Sequence, residues 1–251
     1  MFSVNPIKAF SDNYIWLLTT NEGSIVVDPG EAVKILDLID KDKINLQGVL
    51  ITHHHFDHTS GLGDLINKKL VDVYGPENNI IEINKRVKDL DQISVLGIDF
   101  EVIEIPGHTL DHIAFYAFND NNPILFCGDT LFAGGCGRIF EGTYEQMFNS
   151  LNLIKNFPKE TMIFCGHEYT VKNSEFCLMY DPNNEKLKRK ISENEKKIKE
   201  GFPTIPVSLQ DEIDMNIFLR SDQKNIQTNL SLIEPTPLET FSKLRDLKDN
   251  F

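Results

Sequence analysis

Four of the seven histidines in this chain of 251 residues lie in Thr52–His58, which reads T-H-H-H-F-D-H. The preceding segment, Gly48–Ile51, is short, apolar and rich in β-branched residues, which is typical of a buried strand. If the chain leaves this strand in an extended or turn conformation, alternate residues share a side. The pattern therefore predicts that His53, His55 and Asp57 converge at the end of the strand.

By the same alternation, His54 and Phe56 point away, and His58 faces a second position. Neutral imidazole is a common ligand of zinc and other borderline metals, and carboxylate oxygen binds harder cations, so the mixture suits Zn, Mn or Fe. Two pairs of ligands indicate two metal ions. The alternative is an exposed histidine run that captures metal adventitiously, but such a run does not explain the candidate ligands found downstream.

Three further candidate ligands, His108, Asp129 and His167, each follow a glycine directly. Each glycine allows backbone conformations that other residues rarely adopt, and its missing Cβ lets the loop approach a metal closely. Each also comes soon after an apolar segment with the composition of a strand: Phe100–Ile105, Pro123–Cys127 and Thr161–Cys165. Taken singly, each residue fits an ordinary turn or cap, but with the first cluster they complete a ligand shell.

These residues resemble the H-x-H-x-D-H motif and the later His, Asp and His of the metallo-β-lactamase superfamily. The resemblance implies seven ligands in two groups that share one bridging carboxylate: His53, His55 and His108 for one ion, Asp57, His58 and His167 for the other, and Asp129 for both. It also implies two divalent ions, with zinc expected and iron or manganese as alternatives. Asp57, which would orient the attacking water, and Asp129 are the expected catalytic residues.

The superfamily's fold is an α/β protein, an αββα sandwich of two sheets flanked by helices, and the pattern of the chain agrees with it. Strands are predicted at 14–20, 24–28, around Val49, and at 71–74, 100–105, 113–118, 124–127 and 162–165. Helices are predicted at 31–39, 61–67, 143–154, 185–200 and 240–247.

Composition sets further limits. With 41% hydrophobic and 25% charged residues, the chain is typical of a globular protein. A net charge of −13 argues against nucleic acid as a partner. No secretory signal and no membrane-spanning run is visible, so we expect a cytoplasmic protein that does not bind membranes. We also expect a monomer. The four cysteines show no C-x-x-C pair, so neither a zinc ribbon nor a disulfide framework is indicated.

Four residues near the predicted site have supporting or alternative interpretations. His112 resembles a supportive histidine of the superfamily rather than a ligand, and His54 is predicted to be a hydrogen-bonded neighbour. Asp28 either steadies the metal site, as the resemblance implies, or caps a helix. Cys136 lies in a glycine-rich loop, where packing is favoured over catalysis.

The resemblance narrows to glyoxalase II, the hydroxyacylglutathione hydrolases, and covers essentially the whole chain. The segments that carry it, besides the metal motifs, are Asp12-Asn13-Tyr14, Leu131–Glu141, Cys165–Thr170, Asn216–Arg220 and the final Lys248-Asp249-Asn250-Phe251. We therefore predict a catalytic metal-binding domain over 1–166 and a helical, substrate-binding domain over 167–251.

In that family, glutathione is held by side chains whose positions here read Arg138, Phe140, Tyr169, Arg245 and Lys248. Phe140 is a departure, because a tyrosine often stands there. The change keeps the ring but loses a hydroxyl and one ligand hydrogen bond of about 0.5–1.5 kcal/mol. Without the family match, a solvated terminal helix would be the favoured interpretation of Arg245 and Lys248.

The family's activity implies that the chain is a thioesterase. The expected reaction is hydrolysis of S-D-lactoylglutathione and related 2-hydroxyacylglutathiones to glutathione and D-lactate, the second step of methylglyoxal detoxification. The enzymatic alternatives are a glutathione persulfide dioxygenase that uses a single iron and, more distantly, a lactonase or an RNA-processing nuclease of the same superfamily. The matches to the glutathione site disfavour the last two, and the negative charge further disfavours the nuclease. From another class comes a metal-dependent binding module without catalysis, which a thioesterase assay would distinguish.

Overall fold

The computed structural model describes residues 2–119 and 122–251. By their internal contacts, these residues form two compact units. The first comprises the described residues of Met1–Glu104 and Asp111–Gly128, and the second comprises Ile105–Leu110 and Asp129–Phe251. This spatial division does not coincide with the sequence-based boundary at 166/167, because the loops that carry His108 and Asp129 group with the later part of the chain.

The described part of the first unit is built from ten strands. The first six form one sheet in chain order, in which β1 to β3 pair antiparallel and β3 to β6 pair parallel. The last four form an antiparallel meander. The strands are β1 (Ser3–Ala9), β2 (Asn13–Thr19), β3 (Ser24–Val27), β4 (Leu46–Leu50), β5 (Asp72–Gly75), β6 (Lys85–Arg86), β7 (Gln92–Val95), β8 (Ile98–Glu104), β9 (Ile113–Asn119) and β10 (Asn122–Gly128).

Helices cover the parallel half of the first sheet. Helix α1 (Val33–Asp40) connects β3 to β4, and α2 (Phe56–Thr59) and α3 (Leu62–Lys68) connect β4 to β5. Strands covered in this way are buried on both faces, and all four residues of β3 are buried. The core on this side combines strand and helix side chains, including Val26, Val49, Val73, Ile35 and Leu65.

Parallel pairing places the ends of β3 and β4 side by side. Val27 of β3 is in register with Leu50 of β4, and the Asp28 N–H donates to the Leu50 carbonyl at 2.9 Å. Asp28 and Thr52, the first polar residues after these strands, are thereby brought to one edge of the sheet. The edge carries the histidine-rich segment.

The second unit is mainly helical. Its short strands pair as β11 (Leu131–Phe132) with β12 (Gly135–Cys136) and β13 (Met162–Cys165) with β14 (Val207–Ser208). A 3-10 helix spans Ile217–Arg220. The α-helices are α4 (Tyr144–Lys155), α5 (Thr170–Tyr180), α6 (Glu185–Lys199), α7 (Leu209–Met215), α8 (Lys224–Asn229) and α9 (Pro237–Asp249).

The last helix begins three residues earlier than predicted from the sequence. Thr236 and Glu239 form a capping box, and Pro237 occupies the first turn, where its missing N–H costs nothing. The predicted helix at 143–154 is confirmed, with a capping box between Thr143 and Gln146. In the described ranges, no helix is long and apolar enough to cross a membrane.

Candidate metal centre and substrate-binding residues

Asp28 organises the ligand segment of the first unit through three hydrogen bonds. Its Oδ1 accepts from the Thr52 N–H at 2.8 Å, and its Oδ2 accepts from the Thr52 hydroxyl at 2.7 Å. The same Oδ2 lies 3.0 Å from Nδ1 of His58. Helix α1 starts at Val33 with Ala32 as its N-cap, so Asp28 does not cap it. Of the two interpretations of Asp28, the supporting role therefore agrees with the geometry.

These contacts fix which ring nitrogen of each histidine is available to a metal. Nδ1 of His58 is taken by Asp28, and Nδ1 of His53 lies 3.0 Å from the Thr52 hydroxyl. A histidine whose Nδ1 is held in this way presents Nε2 as its ligand atom. The ring centroids of His53 and His58 are 4.3 Å apart, and those of His53 and His55 are 4.8 Å apart.

The prediction that strand alternation aligns Asp57 with the two histidines is wrong in its local geometry. The chain is extended only as far as His55, whose ψ is 144°, and Phe56–Thr59 is one turn of helix. Asp57 is therefore placed by α2, which brings its Oδ2 within 3.7 Å of His58 Nε2. The carboxylate is steadied by Asn13, whose side-chain amide donates to Asp57 Oδ2 at 2.9 Å.

The two remaining histidines of the first unit lie around this segment. His112 is fully buried, stacks on His53 with ring centroids 4.5 Å apart, and has Nδ1 3.1 Å from the Ile113 carbonyl. His54 has Nδ1 2.8 Å from Asp111 Oδ1, as expected for a hydrogen-bonded neighbour. Gly128, at φ +46°, borders the group, and a Cβ there would lie 2.4 Å from the Thr52 hydroxyl. The packing around Thr52 thus requires glycine at this position.

In the second unit, Asp129 lies between two histidines. Its Oδ2 is 3.4 Å from His108 Nε2 and 3.2 Å from His167 Nε2. Nδ1 of His108 donates to the Arg138 carbonyl at 2.7 Å, which again leaves Nε2 as the ligand atom. A Cβ on Gly137 would lie 1.9 Å from the Asp129 carbonyl, so only glycine permits this approach.

The donor set fits divalent ions in type and spacing. Two ligand atoms that are each about 2.0–2.2 Å from a tetrahedral ion lie roughly 3.3–3.6 Å apart. The carboxylate–imidazole distances of 3.2, 3.4 and 3.7 Å within the two units lie within 0.1 Å of this range. One atom from each of Asp28, His53 and His58 also lies within 4.8 Å of the others, in a buried group that could hold an ion.

Three of the five predicted substrate-binding residues are accessible on the second unit. Phe140 is 60% exposed and contacts the edge of the His108 ring, and Tyr169 stacks on His167 with centroids 4.7 Å apart. Arg138 is exposed, and its guanidinium binds Asp249 of α9. Phe140 and Tyr169 therefore lie against the ligand histidines of their own unit, and the Arg138 guanidinium lies against α9.

Arg245 and Lys248, one turn apart on α9, have different environments. Arg245 is buried and donates to the Cys136 and Gly137 carbonyls at 2.8 and 3.4 Å and to Asp249 at 3.1 Å. It therefore ties α9 to the glycine-rich loop, which is inconsistent with a solvated helix face. Lys248 is half-buried, with its ammonium over aromatic rings.

Glu212 is a buried residue that sequence reasoning did not single out. Its carboxylate accepts from the Gly134 N–H at 2.8 Å and from the Asn216 side chain at 2.9 Å. Burial raises its pKa to about 7. The glycine-rich loop is thus held by a carboxylate from α7, and a glutamate in an amphipathic helix gives no sequence signal for such a role.

All four cysteines are buried thiols that form no disulfide in the described part of the chain. Burial raises the pKa of Cys136, and it raises those of Cys165 and Cys177 to about 12. A thiol with a raised pKa is a poor nucleophile at neutral pH. The geometry therefore supports packing rather than catalysis for Cys136.

Comparisons with known proteins match the whole length of the chain apart from its first residues. The family profile described as "Metallo-beta-lactamase superfamily" matches residues 10–167, and the one described as "Hydroxyacylglutathione hydrolase C-terminus" matches 168–251. The hydroxyacylglutathione hydrolase of Idiomarina loihiensis is 42% identical over 98% of this chain and 99% of its own length. That of Pelagibacter ubique is 43% identical over 99% of both.

Solved structures confirm the predicted fold class. The crystal structure of ETHE1 from Myxococcus xanthus covers 98% of this chain and 99% of its own, with a TM-score of 0.65 and 23% identity. A likeness at this low identity shows only that the two proteins share a fold. TTHA1623 in a di-iron-bound form covers 65% of this chain and 91% of its own, with a TM-score of 0.53 and 27% identity. The full-length matches go further: the chain belongs to the hydroxyacylglutathione hydrolase family of the metallo-β-lactamase superfamily.

Proposed function

We propose that the chain hydrolyses S-D-lactoylglutathione and related 2-hydroxyacylglutathiones to glutathione and D-lactate. The observation that carries the proposal is the similarity over the whole length, including 168–251, to proteins named hydroxyacylglutathione hydrolase. Shared metal ligands alone would also fit other activities of the superfamily. The match to the C-terminal part favours this activity over the lactonase and the persulfide dioxygenase.

The proposed metal centre holds two divalent ions through the seven side chains predicted from the sequence. One ion would be bound by His53, His55 and His108, the other by Asp57, His58 and His167, with Asp129 shared. Zinc is the expected metal, because imidazole and carboxylate are its common ligands, and iron or manganese are the alternatives. The related TTHA1623, whose structure is of a di-iron-bound form, supports two-metal binding and keeps iron among the alternatives.

When bound, such ions lower the pKa of a water from 15.7 towards about 7 and polarise a carbonyl. The chain's own residues supply position and charge. Asp57, held by Asn13, orients the attacking water, and Asp28 keeps the His58 ring in the orientation that presents Nε2. The leaving thiolate needs no strong general acid, since a thiol has a pKa of about 8.5.

The glutathione part of the substrate is proposed to bind the second unit. Arg138 and Lys248 supply positive charge for its carboxylates, and Phe140 and Tyr169 supply ring faces next to the ligand histidines. Arg245 would contribute charge and hold the glycine-rich loop in place. The domain division at 166/167, with a catalytic metal-binding part before it and a helical substrate-binding part after it, stays a prediction, and Arg138, Phe140 and His167 are exceptions to that separation.

The decisive experiment is turnover of S-D-lactoylglutathione by protein whose metal content has been quantified. Hydrolysis with two ions per chain is expected, and no hydrolysis by such protein would contradict the proposal. Oxygen consumption with glutathione persulfide by protein that holds one iron would instead identify the dioxygenase alternative.

We further propose a monomer that works in the cytoplasm. Four buried thiols, none of them in a disulfide among the described residues, agree with a reducing compartment. Light scattering coupled to size-exclusion chromatography tests the oligomeric state, and cell fractionation tests the location.

A further inference from the structure

Lys248 of α9 is a half-buried lysine that lies against two aromatic rings. Its Nζ is 5.2 Å from the centroid of the Phe176 ring and 4.6 Å from that of the Phe251 ring. The two rings contact each other, with centroids 5.3 Å apart and planes inclined by 59°. An ammonium is attracted to the face of an aromatic ring, so two rings together restrict where it lies.

This cation is held without being neutralised. Across residues 2–119 and 122–251, no carboxylate lies within 4.0 Å of the Lys248 ammonium. The neighbouring carboxylate, Asp249, is bound instead by Arg138 and Arg245. Because aromatic rings carry no net charge, Lys248 keeps its full positive charge for an anionic ligand.

The surroundings also favour the arrival of an anion. Burial, and then the charge of Arg245, lower the pKa of Lys248, and Lys172 of α5 acts in the same direction. A carboxylate bound here would offset this repulsion. It would also interact with the ammonium more strongly than in open solvent, because the effective dielectric constant is lower near the protein.

We propose that Phe176 and Phe251 are positioning residues whose rings hold the Lys248 ammonium ready to bind a carboxylate of the glutathione part of the substrate. The inference rests on the proposed function for the identity of this ligand. A lysine side chain loses much rotamer freedom when it is fixed, up to about 2 kcal/mol in general. If the rings restrain it before the substrate arrives, less of that freedom is lost on binding.

Phe251 is the better of the two rings to replace. Phe176 is buried and stacks on Phe218, so its removal would disturb the core of the unit. Phe251 is 50% exposed, so Phe251→Leu removes the ring with little effect on folding. Phe251→Tyr keeps the ring, and Phe202→Leu is a matched control at a phenylalanine that is 61% exposed in the same unit.

The test titrates glutathione alone into zinc-loaded wild-type and variant protein by calorimetry, and measures the kinetics of two thioesters. One is S-D-lactoylglutathione, and the other is a lactoyl thioester of a small thiol without carboxylates. Phe251→Leu is expected to weaken glutathione binding and raise KM for lactoylglutathione about two- to fivefold, with kcat unchanged. Phe251→Leu should hydrolyse the small thioester as fast as wild type does. Phe251→Tyr and Phe202→Leu should match wild type in glutathione binding and on both substrates.

A double-mutant cycle with Lys248→Ala separates positioning from direct contact. If Phe251 acts through Lys248, Phe251→Leu has no further effect on glutathione binding once Lys248 is alanine. An equal loss in both backgrounds would mean that the ring contacts the ligand itself, which overturns the inference.

The inference and the proposed function can fail separately. If wild type hydrolyses lactoylglutathione and Phe251→Leu binds glutathione as wild type does, the positioning role is wrong while the function stands. If wild type with two ions neither binds glutathione nor hydrolyses the thioester, both are wrong.

Discussion

The candidate ligands of the two units are held in place by different kinds of contact. In the first unit, the supporting groups are side chains: Asp28 binds Nδ1 of His58 and, through Thr52, supports His53. In the second unit, His108 is held by a backbone carbonyl, that of Arg138, and His167 stacks on the Tyr169 ring. A side-chain partner can be removed by one substitution, whereas a carbonyl remains whatever residue carries it.

This difference shows why the two halves of the ligand set carry unequal sequence signals. The first unit's ligands follow a single strand, and Asp28 supports two of them, so they appear as one compact motif. The second unit's ligands sit in three loops, and their support depends on the path of the glycine-rich backbone. Mutations therefore affect the two units in different ways.

The largest effect is expected from Asp129→Ala. Asp129 lies within 3.4 Å of His108 Nε2 and 3.2 Å of His167 Nε2, and it is the proposed shared ligand of both ions. The variant should lose hydrolysis altogether and bind less metal, as measured by a thioesterase assay and by elemental analysis of the same sample. Asp222→Ala, at an exposed aspartate of the same unit, is the control. An Asp129→Ala protein with two ions and normal turnover would show that the proposed shell is wrong.

Asp28→Asn compares the two kinds of support directly. Loss of the carboxylate that orients a metal-binding histidine typically lowers metal affinity about 10- to 100-fold. Arg138→Ala removes a side chain but leaves the carbonyl that binds His108, so it should leave zinc affinity unchanged. Competition with a chelator measures both affinities. Equal losses in the two variants would contradict the distinction between side-chain and backbone support.

Arg245→Ala and Lys248→Ala test two residues of α9 that the sequence pattern could not distinguish. Arg245→Ala leaves two buried carbonyls without their charged donor and should lower the free energy of unfolding by about 2–4 kcal/mol. Lys248→Ala removes contacts with two rings and should lower it by less than about 1 kcal/mol. Urea unfolding gives both values, with exposed Lys243→Ala as the control.

The same two variants should raise KM for lactoylglutathione and leave kcat nearly unchanged, because the glutathione part does not react. A thioester without the glutathione carboxylates should be unaffected in Lys248→Ala. Equal losses on both substrates would mean that Lys248 stabilises the fold rather than binding the substrate.

Phe140→Tyr should give the smallest effect. The added hydroxyl would restore one hydrogen bond to glutathione, worth about 0.5–1.5 kcal/mol in general. Since Phe140 is exposed and water competes for that bond, we expect KM to fall only about two- to threefold with unchanged kcat. Steady-state kinetics measures this change in KM, with Phe202→Tyr as the control. A higher KM would indicate that the ring, without a hydroxyl, is the better fit here.

Elements with a strong local pattern could be predicted well, and those with a weak one could not. The strand at 162–165 and the helix over Glu185–Lys199 were predicted almost to the residue. Strand β1 was missed because it is an edge strand containing Pro6 with an irregular burial pattern. Helix α5 was missed because Asn173 and other polar residues occupy its buried face, which hides the apolar periodicity.

The sequence by itself determined the ligand types, their order along the chain and the family, because imidazole and carboxylate chemistry is local to each residue and the motif is compact. It could not determine that Asp57 is placed by a turn of helix, that Asn13 holds it, or that Arg245 is buried while Lys248 lies against two rings. The bond between Asn13 and Asp57 and the bond between Arg245 and Cys136 join residues 44 and 109 positions apart in the chain. Tertiary packing determines these contacts, because neither the residue type nor the local periodicity indicates which distant segment a side chain will contact.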